Sequence, residues 1–207
     1  ISECLVGSEM CIRDSMHEAG HSEIAHAPED MVIFSKPSTS VIGPDDPIVI
    51  PSYSNDMNFE PEVAVIMGRI AKNVPVEKAM DYVLGFTCVN DVTLRDLQGL
   101  DPMWTRAKGF DTSCPLGPWI QTELDWKDAK ISFTLNGEDV PMASGTTANL
   151  IHGIPEQIAA ISSFSTLLPG DVIMTGTPNA SGHLDPGDEP IVHVAGIGSL
   201  RNVVVRG

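Results

Sequence analysis

The sequence predicts a mixed α/β domain that is rich in β-strand and carries a few short helices. Three observations support this. Residues 63–67, 85–89, 172–175, 191–194 and 202–205 are short runs rich in β-branched side chains, which suit a pleated surface. The 18 glycines and 16 prolines are scattered rather than pooled, the punctuation of many turns. Strand and helix patterns do not alternate regularly, which argues against a doubly wound parallel sheet.

Taken in order, the chain opens oddly. Residues 1–15, ISECLVGSEMCIRDS, do not read as the start of the domain that follows. The stretch CLVGSEMCIRDS resembles a translated sequencing-adapter read, so residues 1–15 are set aside as an artefactual segment, the alternative being a genuine N-terminal segment. Residues 16–207 show no linker, repeat or composition break and are expected to form one catalytic domain. Residues 74–84 read as a short helix, with Pro75 at its first position and Gly85 stopping it. Residues 155–168 read as the main helix, with Ile158, Ile161 and Leu168 on a buried stripe and Pro169-Gly170 ending it. Between them, Ile131, Phe133 and Leu135 alternate with polar residues up to Asn136-Gly137, a two-residue hairpin turn.

Charge narrows the partners. The chain carries 12 basic residues against 28 acidic ones, a net charge of −16, which repels nucleic-acid phosphates and anionic membrane surfaces. An anionic substrate then needs a local positive centre, which a bound cation can supply. No apolar run reaches membrane-spanning length, and no basic segment precedes an apolar one at the N-terminus. Cys4, Cys11, Cys88 and Cys114 lack metal-ligand spacing, so reduced thiols in the cytoplasm are expected.

The stretch FEPEVAVIMG, residues 59–68, is the most informative. Residues two apart on a strand share a face, so Glu60 and Glu62 point the same way, and the charges stop where Ala64 and Ile66 begin the core. Pro61 cannot donate to a ladder, which puts the strand start at an edge or bulge. Asp91 follows a second apolar strand, and three neighbouring carboxylates would repel one another strongly. A hard cation such as Mg²⁺ or Mn²⁺ relieves that, whereas zinc favours His or Cys. Two solvated edge glutamates and a helix-capping Asp give the same spacing.

Lys36 and Lys108 sit in apolar or turn-rich contexts, VIFSKPS and TRAKGFDT. A lysine near such a cluster could hold an anionic oxygen or an enolate; either is equally read as a surface lysine. In MTGTP, residues 174–178, Gly176 and Pro178 force a tight turn whose N–H groups and threonine hydroxyls could grip a carboxylate. His17-Glu18-Ala19-Gly20-His21 spells the H-E-x-x-H zinc-protease pattern. It needs a helix, and Gly20 together with flanks that lack apolar periodicity argues against one. His152, His183 and His193 read as structural.

Together these motifs carry a resemblance. The order E-x-E, N-D-V-T-L-R-D-L-Q, K-G-F-D-T-x-x-P-L-G-P, L-x-P-G-D-V-I-x-T-G-T-P and I-G-S-L-R-N resembles the fumarylacetoacetate hydrolase family from about Met16 to the end. The resemblance implies a β-rich roll or sandwich, usually a homodimer, with a Mg²⁺ or Mn²⁺ site. It implies Glu60, Glu62 and Asp91 as metal ligands, Lys108 as the active-site lysine, and Thr177 with Gly176 as substrate-binding, with Arg95 and Gln98 lining the pocket. A 2-oxo acid would chelate the metal, which as a Lewis acid stabilises the enolate formed on acylpyruvate hydrolysis, oxaloacetate-type decarboxylation or keto–enol isomerisation.

One departure stands out. Many similar chains carry N-Y-x-x-H-x-x-E near the start, whose His and Glu form a proton-transfer pair. Here Glu18 matches the acid, but Ser15 stands at the histidine's place. That leaves a non-catalytic metal and 2-oxo-acid binder as the alternative to an enzyme, with the zinc protease a remote third.

Overall fold

The computed structural model describes residues 31–207 together with the backbone of residues 5–8. Strand β1 (Leu5–Ser8) pairs antiparallel with β2 (Ile33–Lys36). Then come β3 (Val41–Ile42), β4 (Pro47–Ile50), β5 (Met57–Phe59) and β6 (Pro61–Met67). Strands β7 (Val83–Asn90) and β8 (Thr93–Leu94) lead into two single-turn helices, α1 (Arg95–Gln98) and α2 (Thr105–Lys108). Next are β9 (Cys114–Gln121), β10 (Lys130–Leu135), β11 (Glu138–Asp139) and β12 (Gly145–Thr146). Helix α3 (Ile154–Phe164) precedes β13 (Val172–Met174), β14 (Gly182–His183), β15 (Pro190–Val194), β16 (Gly198–Arg201) and β17 (Val203–Arg206).

Seven strands form the main sheet in the order β2-β1-β13-β6-β7-β9-β3. Segment 1–15, set aside from the sequence, thus places the backbone of Leu5–Ser8 between β2 and β13. A second sheet, β11-β10-β15-β16 with β12 on β10, packs over β6 and β7. Phe133 of β10 stacks on Phe59 of β5, ring centroids 4.0 Å apart. This is the β-rich sandwich with few helices that the sequence predicts. The Asn136-Gly137 hairpin also forms, both residues at positive φ (55° and 84°), as a primed two-residue turn requires.

Two expectations about helices need correction, whereas the edge expected at Pro61 is found locally: β6 lies between β13 and β7 in the sheet, but β13 pairs only with residues 64–66, so Pro61 has a strand partner on the β7 side alone. As first residue of the strand, Pro61 needs no ladder N–H. Residues 74–84 form a shorter 3₁₀ helix, Val76–Tyr82, because Pro75 is extended (ψ 150°). The Tyr82 carbonyl accepts from Gly68 N–H at 2.7 Å, which turns Val83 and Leu84 into β7. The main helix ends at Phe164 rather than residue 168, since Ser165 is extended. Ile158 and Ile161 are buried as expected, but Leu168 is exposed; Leu167 is the buried leucine, paired through its backbone with Ala71.

Candidate metal and substrate site

Glu60 immediately precedes β6 and Glu62 is its second residue, so the pleat turns both carboxylates to one side. Asp91 follows β7, the neighbour of β6. The strand ends are stitched together: Glu60 N–H donates to Asn90 Oδ1 at 2.8 Å, and Asp91 N–H donates to the Glu60 carbonyl at 2.9 Å. One carboxylate oxygen from each acid then lies within 4.8 Å of the others, and all three residues are buried.

Three cations face them. Lys108, at the end of α2, places Nζ 2.5 Å from Glu60 Oε2 and 2.8 Å from Asp91 Oδ2. The same ammonium lies 5.0 Å from the centroid of the Phe34 ring. Arg95, opening α1, puts Nη2 2.7 Å from Glu60 Oε1, while its Nη1 donates to Gln98 Oε1 at 2.5 Å. Its Nη2 also reaches Ser181 Oγ. Lys36 Nζ stands 2.7 Å from Asp91 Oδ1. Buried charges of like sign persist only when paired in this way.

Glu62 is held differently. Gly176 N–H donates to its Oε2 at 2.8 Å, and Thr177 Oγ1 donates to Oε1 at 3.2 Å. Gly176 has φ 100°, which a side chain would resist. The turn before it is anchored twice: Thr175 Oγ1 donates to the Val63 carbonyl at 2.9 Å, and Gln157 Nε2 donates to the Thr175 carbonyl at 2.9 Å. So the T-G-T-P turn grips a carboxylate, as its sequence suggests, and in this structure that carboxylate belongs to Glu62.

The electrostatics divide the acids. Burial, then the charges of Asp91 and Glu60, raise the Glu62 carboxyl well above its ordinary range. Burial would also raise Asp91, but the ammonium groups of Lys108 and Lys36 outweigh it and hold that carboxyl below its usual value.

The donor set fits a hard divalent cation: three anionic oxygen ligands, converging and shielded from water. Asp91 Oδ1 is buried and faces Lys36 Nζ at 2.7 Å. Glu60, Glu62, Asp91, Lys108, Arg95, Gln98, Gly176 and Thr177 therefore share one site. Glu18, Ser15 and the H-E-x-x-H stretch lie outside the described residues. Sequence reasoning missed Asn90, Ser113, Gln157 and Ser181. Only Asn90 carried a signal, as the residue before Asp91 in the N-D pair. Among the described residues no helix is long and apolar enough to cross a membrane.

A β-rich sandwich with a buried triad of carboxylates, a paired lysine and a T-G-T-P turn defines a class. The Fumarylacetoacetate (FAA) hydrolase C-terminal family model matches residues 4–205. The chain belongs to the fumarylacetoacetate hydrolase family.

Its relatives span several names. Protein Rv2993c of Mycobacterium tuberculosis is 47% identical over 182 residues, covering 86% of this chain and 68% of that protein. The mitochondrial oxaloacetate tautomerase Fahd2a of Rattus norvegicus is 36% identical over 207 residues, covering 95% of this chain and 66% of that one. A 5-carboxymethyl-2-hydroxymuconate delta-isomerase structure from Mycobacterium smegmatis superposes with a TM-score of 0.88 at 40% identity, over 100% of this chain and 80% of that one. Fumarylpyruvate hydrolase from Pseudomonas aeruginosa, in complex with Mn²⁺ and pyruvate, superposes with a TM-score of 0.84 at 26% identity, over 99% and 89% of the two chains.

Proposed function

We propose that this chain is a divalent-metal-dependent enzyme acting on small 2-oxo acids. The observation that carries this is the buried convergence of Glu60, Glu62 and Asp91, with oxygens within 4.8 Å of one another. Those three would hold Mg²⁺ or Mn²⁺, in keeping with the Mn²⁺ and pyruvate of the fumarylpyruvate hydrolase. When bound, the cation supplies a Lewis acid for the 2-oxo and carboxylate oxygens of a substrate.

The chain's own residues do the rest. Lys108, at 2.5 and 2.8 Å from two of the acids, presents an ammonium beside the place where negative charge develops. Arg95, paired with Glu60 and Gln98, offers a planar donor for a second carboxylate. Thr177 and Gly176 hold Glu62 in place and stand next to the substrate position. Glu18 is assigned the proton-transfer acid. Keto–enol isomerisation is the favoured reaction, since a tautomerase and an isomerase stand among the relatives, and it needs no attacking water. Hydrolysis of an acylpyruvate and decarboxylation use the same electron sink. A homodimer is expected by resemblance, and light scattering on the purified chain tests it.

Ser15 supports a second reading, a binder that lacks the proton-transfer histidine. The test is to follow oxaloacetate enol–keto conversion and acylpyruvate cleavage with Mn²⁺ and with excess chelator, in the unaltered chain and in Ser15→His. Turnover that needs metal establishes the enzyme and ranks the reactions. A jump in turnover in Ser15→His favours an enzyme whose histidine was overwritten, and no change favours the binder or a different mechanism. Absence of Mn²⁺ binding sinks both.

A further inference from the structure

Lys36 has so far appeared only as a counter-charge to Asp91, but its surroundings say more. The side chain is fully buried, and its ammonium is enclosed by protein oxygens. It donates to the Ser113 carbonyl at 2.9 Å, to Ser113 Oγ at 3.1 Å, to the Val92 carbonyl at 3.3 Å and to the Lys108 carbonyl. Asp91 Oδ1 completes the shell at 2.7 Å. An ammonium has three hydrogens to share among these five oxygens.

Those acceptors are not arbitrary. Val92 follows Asp91; Lys108 is the residue whose own ammonium bridges Glu60 and Asp91; Ser113 closes the loop after α2. That loop is itself constrained: Thr112 sits at φ 68°, unusual for a β-branched residue, and its Oγ1 accepts from Val49 N–H at 2.9 Å. Ser113 Oγ in turn donates to the Lys108 carbonyl at 2.8 Å. One buried charge thus ties the backbone that carries Asp91 to the backbone that carries Lys108.

We infer that Lys36 is a positioning residue: it fixes the Asp91 carboxylate and the origin of the Lys108 side chain, and does not itself meet substrate. The anionic oxygen that Lys36 holds is Asp91 Oδ1, and neutral protein oxygens surround the rest of its ammonium. The inference rests on the metal reading above and adds a sign to it. If Lys36 acted only through its charge, removing it would leave the acids more negative and tighten cation binding. If it positions Asp91, removing it loosens a ligand and weakens binding, as losing a group that orients a metal ligand does, by about 10- to 100-fold.

The experiment titrates Mn²⁺ into the full chain, Lys36→Met and Asp91→Asn, by calorimetry and by electron paramagnetic resonance, with thermal midpoints in chelator alongside. The expected result is at least about tenfold weaker Mn²⁺ binding in Lys36→Met with an altered Mn²⁺ spectrum, at a temperature where the variant is folded. Equal or tighter binding with the natural spectrum, whatever the thermal midpoint, overturns the proposal. Should Lys36→Met not fold, Ser113→Ala keeps the ammonium and removes one of its acceptors. A weaker Kd and a changed spectrum there support positioning, and no change overturns it. Failure of the underlying metal reading looks different: the natural chain then binds no Mn²⁺, or Asp91→Asn binds it equally well.

Discussion

Two ion networks of similar geometry sit in opposite settings. At the surface, Arg201 places Nη1 2.7 Å from Asp45 Oδ1 and pairs with Glu189 through Nη2. In the interior, Lys108 makes contacts of 2.5 and 2.8 Å to Glu60 and Asp91. Distances alone would rank the two alike, but water decides otherwise. It screens the Arg201 network and can solvate any member whose partner is lost. Asp91 is buried, so each charge there depends on the others. The surface pairs are decoration on a backbone joint: Asn202 Nδ2 donates to the carbonyls of Gly43 and Asp46 at 2.9 Å each, and this neutral clamp fastens the I-G-S-L-R-N segment.

The comparison breaks most visibly at Asp91. Asp91→Ala leaves Lys36 and Lys108 buried without a shared counter-ion and is expected to lower unfolding free energy by about 3–5 kcal/mol. Urea denaturation in chelator measures this; a loss indistinguishable from that of a surface variant would mean the cluster is solvated. Lys108→Met should reduce kcat/KM by about 100-fold or more, with Mn²⁺ still bound. Retained turnover would remove the lysine from the proposed chemistry.

The two acids also differ in pH response. Glu62 holds its proton more tightly folded than unfolded, so the native state carries more protons between the ordinary carboxylate range and the raised value. Metal-free stability therefore falls as pH rises through that window. Asp91 runs the other way: its contribution is present above the ordinary range and fades as pH drops through its lowered value. Glu62→Gln should flatten the falling slope, and so should saturating Mn²⁺. A slope that persists in the variant assigns it elsewhere.

Smaller effects sharpen the contrast. Burial pushes the thiols of Cys88 and Cys114 up to about 12, so neither should react with an alkylating reagent in the native chain at pH 8. Mass spectrometry of labelled peptides checks this, and rapid labelling at either would show that the sheet opens readily. Least of all, Arg201→Gln should leave the unfolding midpoint and Mn²⁺ affinity where they were. A clear drop would show that the surface network matters beyond its exposure.

Much of the site was legible because its signals are local. Glu60 and Glu62 reveal a shared face through spacing alone, and the T-G-T-P turn announces backbone donors. The helices were harder. Pro75 looks like a helix start, but its extended backbone and the pairing of Tyr82 with Gly68 moved both ends. Leu168 fits a helical stripe on paper, whereas the sheet-like contact of Leu167 with Ala71 decides which leucine is buried.

By itself, then, the sequence determined the β-rich class, the hairpin at Asn136-Gly137 and the shared face of Glu60 and Glu62, since each follows from residue type and short-range period; Asp91 joined them only through the family resemblance. Only the tertiary structure decided what those acids touch. Lys36 reaches its acceptors across 56 to 77 residues, and Gly176 meets Glu62 across 114. Most of those acceptors are backbone carbonyls, which every residue carries, so no side-chain pattern could mark them before the fold brought them together.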